Sequence, residues 1–336
     1  MKKKFSEVLE IKNGKNQKSV EVINGAYPIY GSGGEMGRAS NYICEAETII
    51  IGRKGTINNP LFVNEPFWNV DTAFGLCANR KVLFPKYLYH FCKSFDFNTL
   101  STTVTIPSLT KTNLLSIELP LPSLPEQQKI AAHLDSIQRA IDNKKQQLQQ
   151  LDELVKSKFV EMFAEKDFPT KKWDDVFITK TGKLDSNAMV EGGMYPFFTC
   201  AKEIFAINDY AFDQEALLLA GNNAAGKYDV KYYKGKFNAY QRTYVLSLKE
   251  NWSYRLFQFQ LEDKLLYLKD QSKGINTKFL TLKILQTLSF IVPPNDLQDE
   301  FTAYVEKIDS AKSIIKTQLA DLQELLDSKM DEYFGE

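Results

Sequence analysis

Residues 221–227, Gly-Asn-Asn-Ala-Ala-Gly-Lys, follow the apolar run 216–220 and fit G-x-x-x-x-G-K, the spacing of a phosphate-cradling loop. The next residue is Tyr228, where that chemistry needs a Ser or Thr hydroxyl for magnesium. The segment that follows, YDVKYYKGKF, alternates like a strand, so no helix N-terminus faces a phosphate and the stretch reads as a turn. Gly31-Ser32-Gly33-Gly34 reads as a flexible loop. No Asp/Asn-Pro-Pro-aromatic tetrapeptide of the adenine methyltransferase kind is present, and Asn58-Asn59-Pro60-Leu61-Phe62 only loosely echoes one. Glu45, Glu47 and Lys54 could furnish a nuclease, but the two carboxylates flank an apolar run and read as solvent-facing. Four scattered cysteines (Cys44, Cys77, Cys92, Cys200) and two histidines (His90, His133) offer no metal-ligand spacing. His133, beside an apolar seam, reads as a helix-flank residue. Nothing pairs a nucleophile with a base. The expectation is a chain with no catalytic residue, metal or cofactor of its own.

What remains is a set of polar, basic and aromatic loop residues. Arg38, Arg53, Lys54, Thr56, Asn58 and Asn69 form the set in the first third of the chain. Later come Lys202, Asn222, Asn223, Lys227, Lys231 and Tyr233, then Lys236, Asn238, Gln241 and Arg242. Such side chains suit DNA: Lys and Arg neutralise phosphates, Arg bridges guanine O6 and N7, and Asn or Gln bridges adenine N6 and N7. Each of them is equally readable as an ordinary solvated loop residue.

These loops need elements to hold them. In residues 122–163, Ser123 and Glu126 have capping-box spacing and Pro125 sits in the first turn. Apolar residues then fall at Ile130, Leu134, Ile137, Ile141, Leu148, Leu151, Val155 and Met162, interrupted by Lys144 and Lys158. Alternating steps of four and three make a heptad seam on a helix of roughly 55 Å, a spacer. The stretch recurs at 293–334, with a seam of Phe301, Val305, Ile308, Ile315, Leu319, Leu322, Leu326 and Tyr333, broken by Lys312 and Lys329. Asn295 and Gln298 stand where the first cap stood. Matching seams predict that the two helices pack on each other. A heptad run is also compatible with a homodimeric coiled-coil adaptor that binds no DNA, although the internal copy already supplies a partner.

The intervening blocks repeat as well. At a shift of 168, Gly14-Lys15 meets Gly182-Lys183, Gly25 meets Gly193, Tyr27-Pro28 meets Tyr195-Pro196, and Arg53-Lys54-Gly55 falls on Gly221-Asn222-Asn223. Buried strands are predicted at 48–51 and 215–219, and short helices at 85–95 and around 253–259. A polar loop is predicted at 98–103, and final strands in LLSIELPLP and LQTLSFIVP. The organisation is thus 1–121, 122–165, 166–293 and 294–336: block, helix, block, helix. Repeats of this size are duplicated domains, which can fold about a pseudo-twofold axis with the helices antiparallel. Net charge is zero but segregated: 14 basic against 10 acidic residues in 1–120, and 18 against 14 in 166–292. The spacers carry 6 against 7 (121–165) and 4 against 11 (293–336). Mildly basic blocks point to a polyanion, and an acidic helix avoids it. No run approaches a membrane span, no apolar region follows the basic MKKK start, and the cysteines are scattered. These features predict a cytoplasmic protein with no membrane association.

The repeated plan, with PLPSLPEQQKIAAHLDSI leading into LQQLDELVKSKFVEMF, resembles the specificity subunit of type I restriction–modification systems. G-x-YP-x-Y at 25–30, IIIGRKGTI at 49–57 and KFNAYQRTYVL at 236–246 look like that family's target-recognition domains. The resemblance implies an α+β fold: two similar mixed α/β target-recognition domains separated by two long antiparallel helices forming a coiled coil. Each domain would read half of a bipartite site in double-stranded DNA, and the helices would set the gap. Two methylation subunits would dock on the helices, and motor-nuclease subunits would complete the complex. S-adenosylmethionine, ATP and magnesium would belong to those partners. The specificity component of a related fused-type (type IIG-like) restriction enzyme would share the recognition physics.

Overall fold

The computed structural model describes residues 1–100, 107–274 and 276–335. The chain divides into two compact units, Met1–Gln147 with Ile315–Glu336, and Leu148–Ile314. Each unit therefore takes one block and part of both long helices.

In the first unit the central strand Thr48–Gly52 is buried at all five positions, as its β-branched run predicts. It pairs antiparallel with Leu61–Val63 on one side and Ala73–Ala78 on the other, and Leu9–Asn13 extends that edge. A separate three-stranded sheet has Tyr27–Gly31 at its centre, antiparallel to Gly34–Ala39 and parallel to Trp68–Asn69. The second unit builds the corresponding strands into one six-stranded sheet around Phe212–Ala220 and Val230–Ala239. The ten-residue strand Val230–Ala239 does what Leu61–Val63 and Trp68–Asn69 do separately. Between those two short strands lies Pro66, which has no N–H to donate to a ladder.

Glycine recurs at 14 and 182 for a steric reason. A Cβ at Gly14 would lie 1.7 Å from the Val70 carbonyl oxygen, and one at Gly182 would lie 1.8 Å from that of Ala239. Only a residue without a side chain lets the backbone cross there.

The helices at Pro85–Ser94 and Tyr254–Asp263 cover their sheets with Tyr87, Leu88 and Phe91, and with Phe257 and Leu261. The final segments are shorter strands than predicted. Lys111–Leu115 is a helix capped by the Thr110 side chain, and only Glu118–Pro120 is extended, pairing with Lys2–Lys4. In the second unit Leu282–Leu285 is helical and Ser289–Ile291 pairs with Thr170–Lys172. In the first unit the Thr110 cap outcompetes strand pairing that has few partners to offer. Of the predicted loop at 98–103, Phe97–Leu100 is a 3-10 turn and 101–103 lie outside the described residues.

The long helices are Leu124–Phe163 and Asn295–Phe334, 40 residues each, or about 60 Å at 1.5 Å per residue. In the first unit Ile130, Leu134, Ile137 and Ile141 are buried with Leu326, and Leu319, Leu322 and Tyr333 pack against them. The same cluster contains Tyr87, Leu88 and Phe91, so this half of the seam is also a domain core. His133 Nδ1 meets the Tyr333 hydroxyl at 3.0 Å. In the second unit Val155 and Met162 are buried with Phe301, Val305 and Leu256, with Ile308 packed alongside. Leu148, Leu151 and Ile315 are only half-buried. The antiparallel sense follows from ion pairs of the seam lysines: Lys158 meets Glu300 at 3.3 Å, and Lys312 meets Asp152 at 2.6 Å.

Each helix start is bolted to its block by a buried glutamine. Gln127 accepts the Phe84 N–H (2.8 Å) and donates to the carbonyls of Val82 and Pro122 (both 2.9 Å). Gln298 accepts the Ser253 N–H (2.9 Å) and donates to the Pro293 carbonyl (2.8 Å). Phe84 and Ser253 are the residues just before the two covering helices. Salt bridges repeat the attachment, Lys86 to Asp135 at 2.5 Å and Arg255 to Asp309. Burial outweighs the pull of Asp135 and holds the His90 imidazole below its usual range. The neutral ring's Nε2–H then donates to Asp135 (2.8 Å). Replacing Gln127 or Gln298 by Leu strands a buried N–H and carbonyl, each worth about 1–3 kcal/mol. A lowered thermal midpoint for each single variant is expected, and Gln→Glu should not restore it because a carboxylate has no N–H for the proline carbonyl.

Candidate nucleic-acid interface

The loops that leave the two central strands are built alike. In the first unit the Arg53 N–H donates to Thr72 O (2.8 Å), and Arg53 O accepts from Leu109 N–H (3.0 Å). In the second, Gly221 N–H donates to Arg242 O (2.9 Å), and Gly221 O accepts from Leu280 N–H (2.8 Å). Lys54 then bridges to Ser108, while Asn222 and Asn223 pair with Phe279 and Lys278. A strand-exit loop is thus held on both sides by backbone hydrogen bonds, and its side chains are carried on a fixed frame. One guanidinium stands at each place, but from opposite partners of the same hydrogen bond: Arg53 on the loop, Arg242 on the facing turn.

Several expected contact residues occupy these frames, and others stand exposed elsewhere on the two units. Arg53, Lys54 and Thr56 are exposed, with the Arg53 guanidinium 5.8 Å from the Phe74 ring centroid. Lys202, Lys227, Gln241 and Arg242 are exposed, and Asn222 is half-buried. Lys236 is exposed with its ammonium 4.6 Å over the Tyr210 ring, and Arg38 sits 3.7 Å from Glu35.

Others are committed elsewhere. Asn69 is fully buried, donating to Ala73 O, and Asn238 is 5% exposed, donating to Asp209 O. Both lie on strands that pair in parallel with the next strand of the sheet, so they are core amides and not loop contacts. Asn58 donates to Asp96 (2.6 Å) and accepts the Phe97 N–H (2.7 Å), which fixes the turn at 97–100. Lys231 is spent on Ala201 O (2.8 Å) and Asp229 (2.5 Å). The Asn223 side-chain oxygen accepts from Ala225 and Lys227 N–H groups and shapes its own turn. Tyr233 packs on Phe198 and Phe237.

The structure adds residues that the sequence pattern did not single out. A Cβ on Gly226 would lie 3.1 Å from the Lys269 side chain and 3.5 Å from that of Lys278. Lys227, Lys269 and Lys278 therefore gather at one turn, with Lys273 paired through its backbone to Phe279. Among the described residues none of these four lysines pairs with a carboxylate. Lys269, Lys273 and Lys278 lie in the second block, but no motif matched between the two blocks contains them. Cys44 and Cys77 come close in space although far apart along the chain, and their interaction pushes the Cys44 thiol up and pulls Cys77 down to about 7. Among the described residues no cluster of His, Cys, Asp and Glu could hold a metal ion, and no helix is long and apolar enough to cross a membrane.

The model of the type I restriction modification DNA specificity domain matches residues 1–153 and again 165–324, nearly the whole chain. The chain belongs to this family. That assignment favours a recognition subunit over the adaptor reading. The EcoDI specificity subunit of Escherichia coli is 35% identical over 162 residues, covering 47% of this chain and 34% of that protein. The MjaIX specificity subunit of Methanocaldococcus jannaschii is 24% identical over 335 residues, 85% of this chain and 75% of that one. The match thus spans about a third of the first relative and three quarters of the second. The fold is that of the M. genitalium type I S subunit (TM-score 0.69, 18% identity, 100% of this chain and 96% of that one). A chain solved for complex assembly and conformational transition of a type I R-M system is also similar (TM-score 0.53, 15% identity, 99% and 97%).

The lysine turn yields a direct test. Lys269→Gln, Lys273→Gln and Lys278→Gln combined should weaken duplex binding uniformly across sequences. The slope of log K against log salt should fall by up to about 3, near 0.9 for each phosphate left without its lysine. Asn238→Ala should lower the thermal midpoint and leave that slope unchanged.

Proposed function

We propose that this chain is the sequence-reading subunit of a type I restriction–modification complex, without catalytic machinery of its own. The observation that carries this is the clamped strand-exit loop, present once in each unit and furnished with Arg, Lys and Asn side chains. Each unit reads one half of a bipartite site in double-stranded DNA, and the paired helices keep the gap between halves constant. Two methylation subunits dock on the helices and bring S-adenosylmethionine, and motor-nuclease subunits bring ATP and magnesium chemistry. The family assignment and the acidic character of the second helix, which suits protein more than DNA, support this division.

The defining experiment is co-expression with a type I methylation subunit from the same genome, followed by single-molecule mapping of methylated adenines. Two short half-sites with a fixed unspecified gap are expected, and a continuous motif would refute the reading. Inserting one heptad in each long helix should widen the gap by about 10 Å, or roughly three base pairs at 3.4 Å each. Leu154 and Leu325 are 46% and 42% exposed and stand at equivalent positions of the two long helices. Leu154→Glu with Leu325→Glu should reduce co-purification of the methylation subunit and leave the recognised bases unchanged.

A further inference from the structure

Beside Asn222 lies an open cleft of about 540 Å³. Met189, Cys200, Ala201, Phe205 and Tyr240 supply most of its wall, and Ser186, Asn187 and Thr199 add polar groups. At the matching positions of the first block stand Glu21, Ser32, Gly33 and Gly37, with Lys54 in place of Asn222. The second block thus places larger apolar side chains beside its exit loop than the first block does at the matching positions.

Asn222 is the polar group placed to use it. Its backbone is fixed by pairing with Phe279, and the neighbouring Asn223 spends its carbonyl on the turn. The Asn222 carboxamide makes no hydrogen bond among the described residues and borders the cleft. A carboxamide offers a donor and an acceptor side by side, the complement of adenine N7 and N6–H₂ in the major groove. The same base pair displays the thymine C5-methyl group, which gains from contact with apolar walls. A G·C pair would set guanine O6 against the Asn222 carbonyl, acceptor against acceptor, and would offer the wall a C5–H in place of the methyl group.

Building on the bipartite-reader function proposed above, we infer that Asn222 and the Met189–Cys200–Phe205 cleft read one adenine–thymine pair of the second unit's half-site. The amide takes the adenine edge and the cleft takes the thymine methyl. The group held is thus a base-pair edge in intact duplex.

The test uses the chain assembled with its methylation subunits and duplexes carrying the mapped motif, substituted one base pair at a time. For the native complex, one A·T position in a single half-site should show at least a tenfold loss on change to G·C. Asn222→Ala should make that position tolerant and leave every other position as it was. Asn222→Asp, of the same size, keeps only acceptors and should move preference there toward cytosine, whose N4 amino group donates. Replacing the thymine by deoxyuridine should weaken the native complex several-fold, and Phe205→Ala should erase that difference. Lys54→Ala should leave the same half-site untouched. The inference is overturned if the position relaxed by Asn222→Ala is a G·C pair. It is equally overturned if Asn222→Ala and Asn222→Asp both bind the motif with unchanged preference. Absence of any bipartite motif would instead remove the function on which it rests, and the inference with it.

Discussion

A buried carboxamide fixes where each long helix leaves its block. Gln127 and Gln298 are almost fully enclosed, and each takes an N–H from the residue that leads into the covering helix while donating to a proline carbonyl at its own helix start. Three rigid pieces, sheet, covering helix and long helix, therefore share one joint. Breaking it leaves polar groups in an apolar core, so the geometry is enforced by desolvation cost as well as by packing. The split-site reading proposed above would depend on that stiffness, because slack at the joint would blur the distance between the two halves. The salt bridges Lys86–Asp135 and Arg255–Asp309 brace the same joints from the partly exposed side.

The two units keep this scaffold and vary what it carries. The same backbone bonds hold the exit loops of both central strands, yet one displays Arg53 and Lys54 and the other Asn222, with Arg242 facing it. Chemical divergence is concentrated where the main chain is already satisfied. Side chains there can change while every ladder bond stays in place, which separates specificity from stability.

Much of the scaffold was legible in the sequence. The heptad steps from Ile130 to Val155 and from Phe301 to Leu326 mark the helix pair, and the TIII and ALLL runs mark the central strands, because apolar periodicity and unbroken apolar runs report on burial. The partners of the glutamines were not legible, since Gln127 looks like any exposed helix residue until Phe84 is known to lie against it. The loop residues divided for the same reason. Asn69 and Asn238 are polar and repeat-related, which suggested contact with a ligand, but both are core amides on strands. Lys269, Lys273 and Lys278 come together only through a turn whose path no local pattern discloses. Polarity in a sequence does not say which side of the chain it serves; tertiary placement decides that.

The interruption at Pro66 reaches beyond topology. In the second unit, Phe198, Phe237 and Val245 belong to one apolar cluster spanned by a continuous strand. In the first, the matching region is divided between a cluster around Phe67 and Ile50 and another around Trp68 and Ile29. Cooperative opening propagates through shared strands and shared cores. The three-stranded sheet of the first unit can thus exchange its amides without unzipping the strand that leads to Arg53, whereas the second unit must open its sheet as one body. The two units are therefore unequal in how locally they can fluctuate, and the first is free to adjust one layer while its exit loop stays in register.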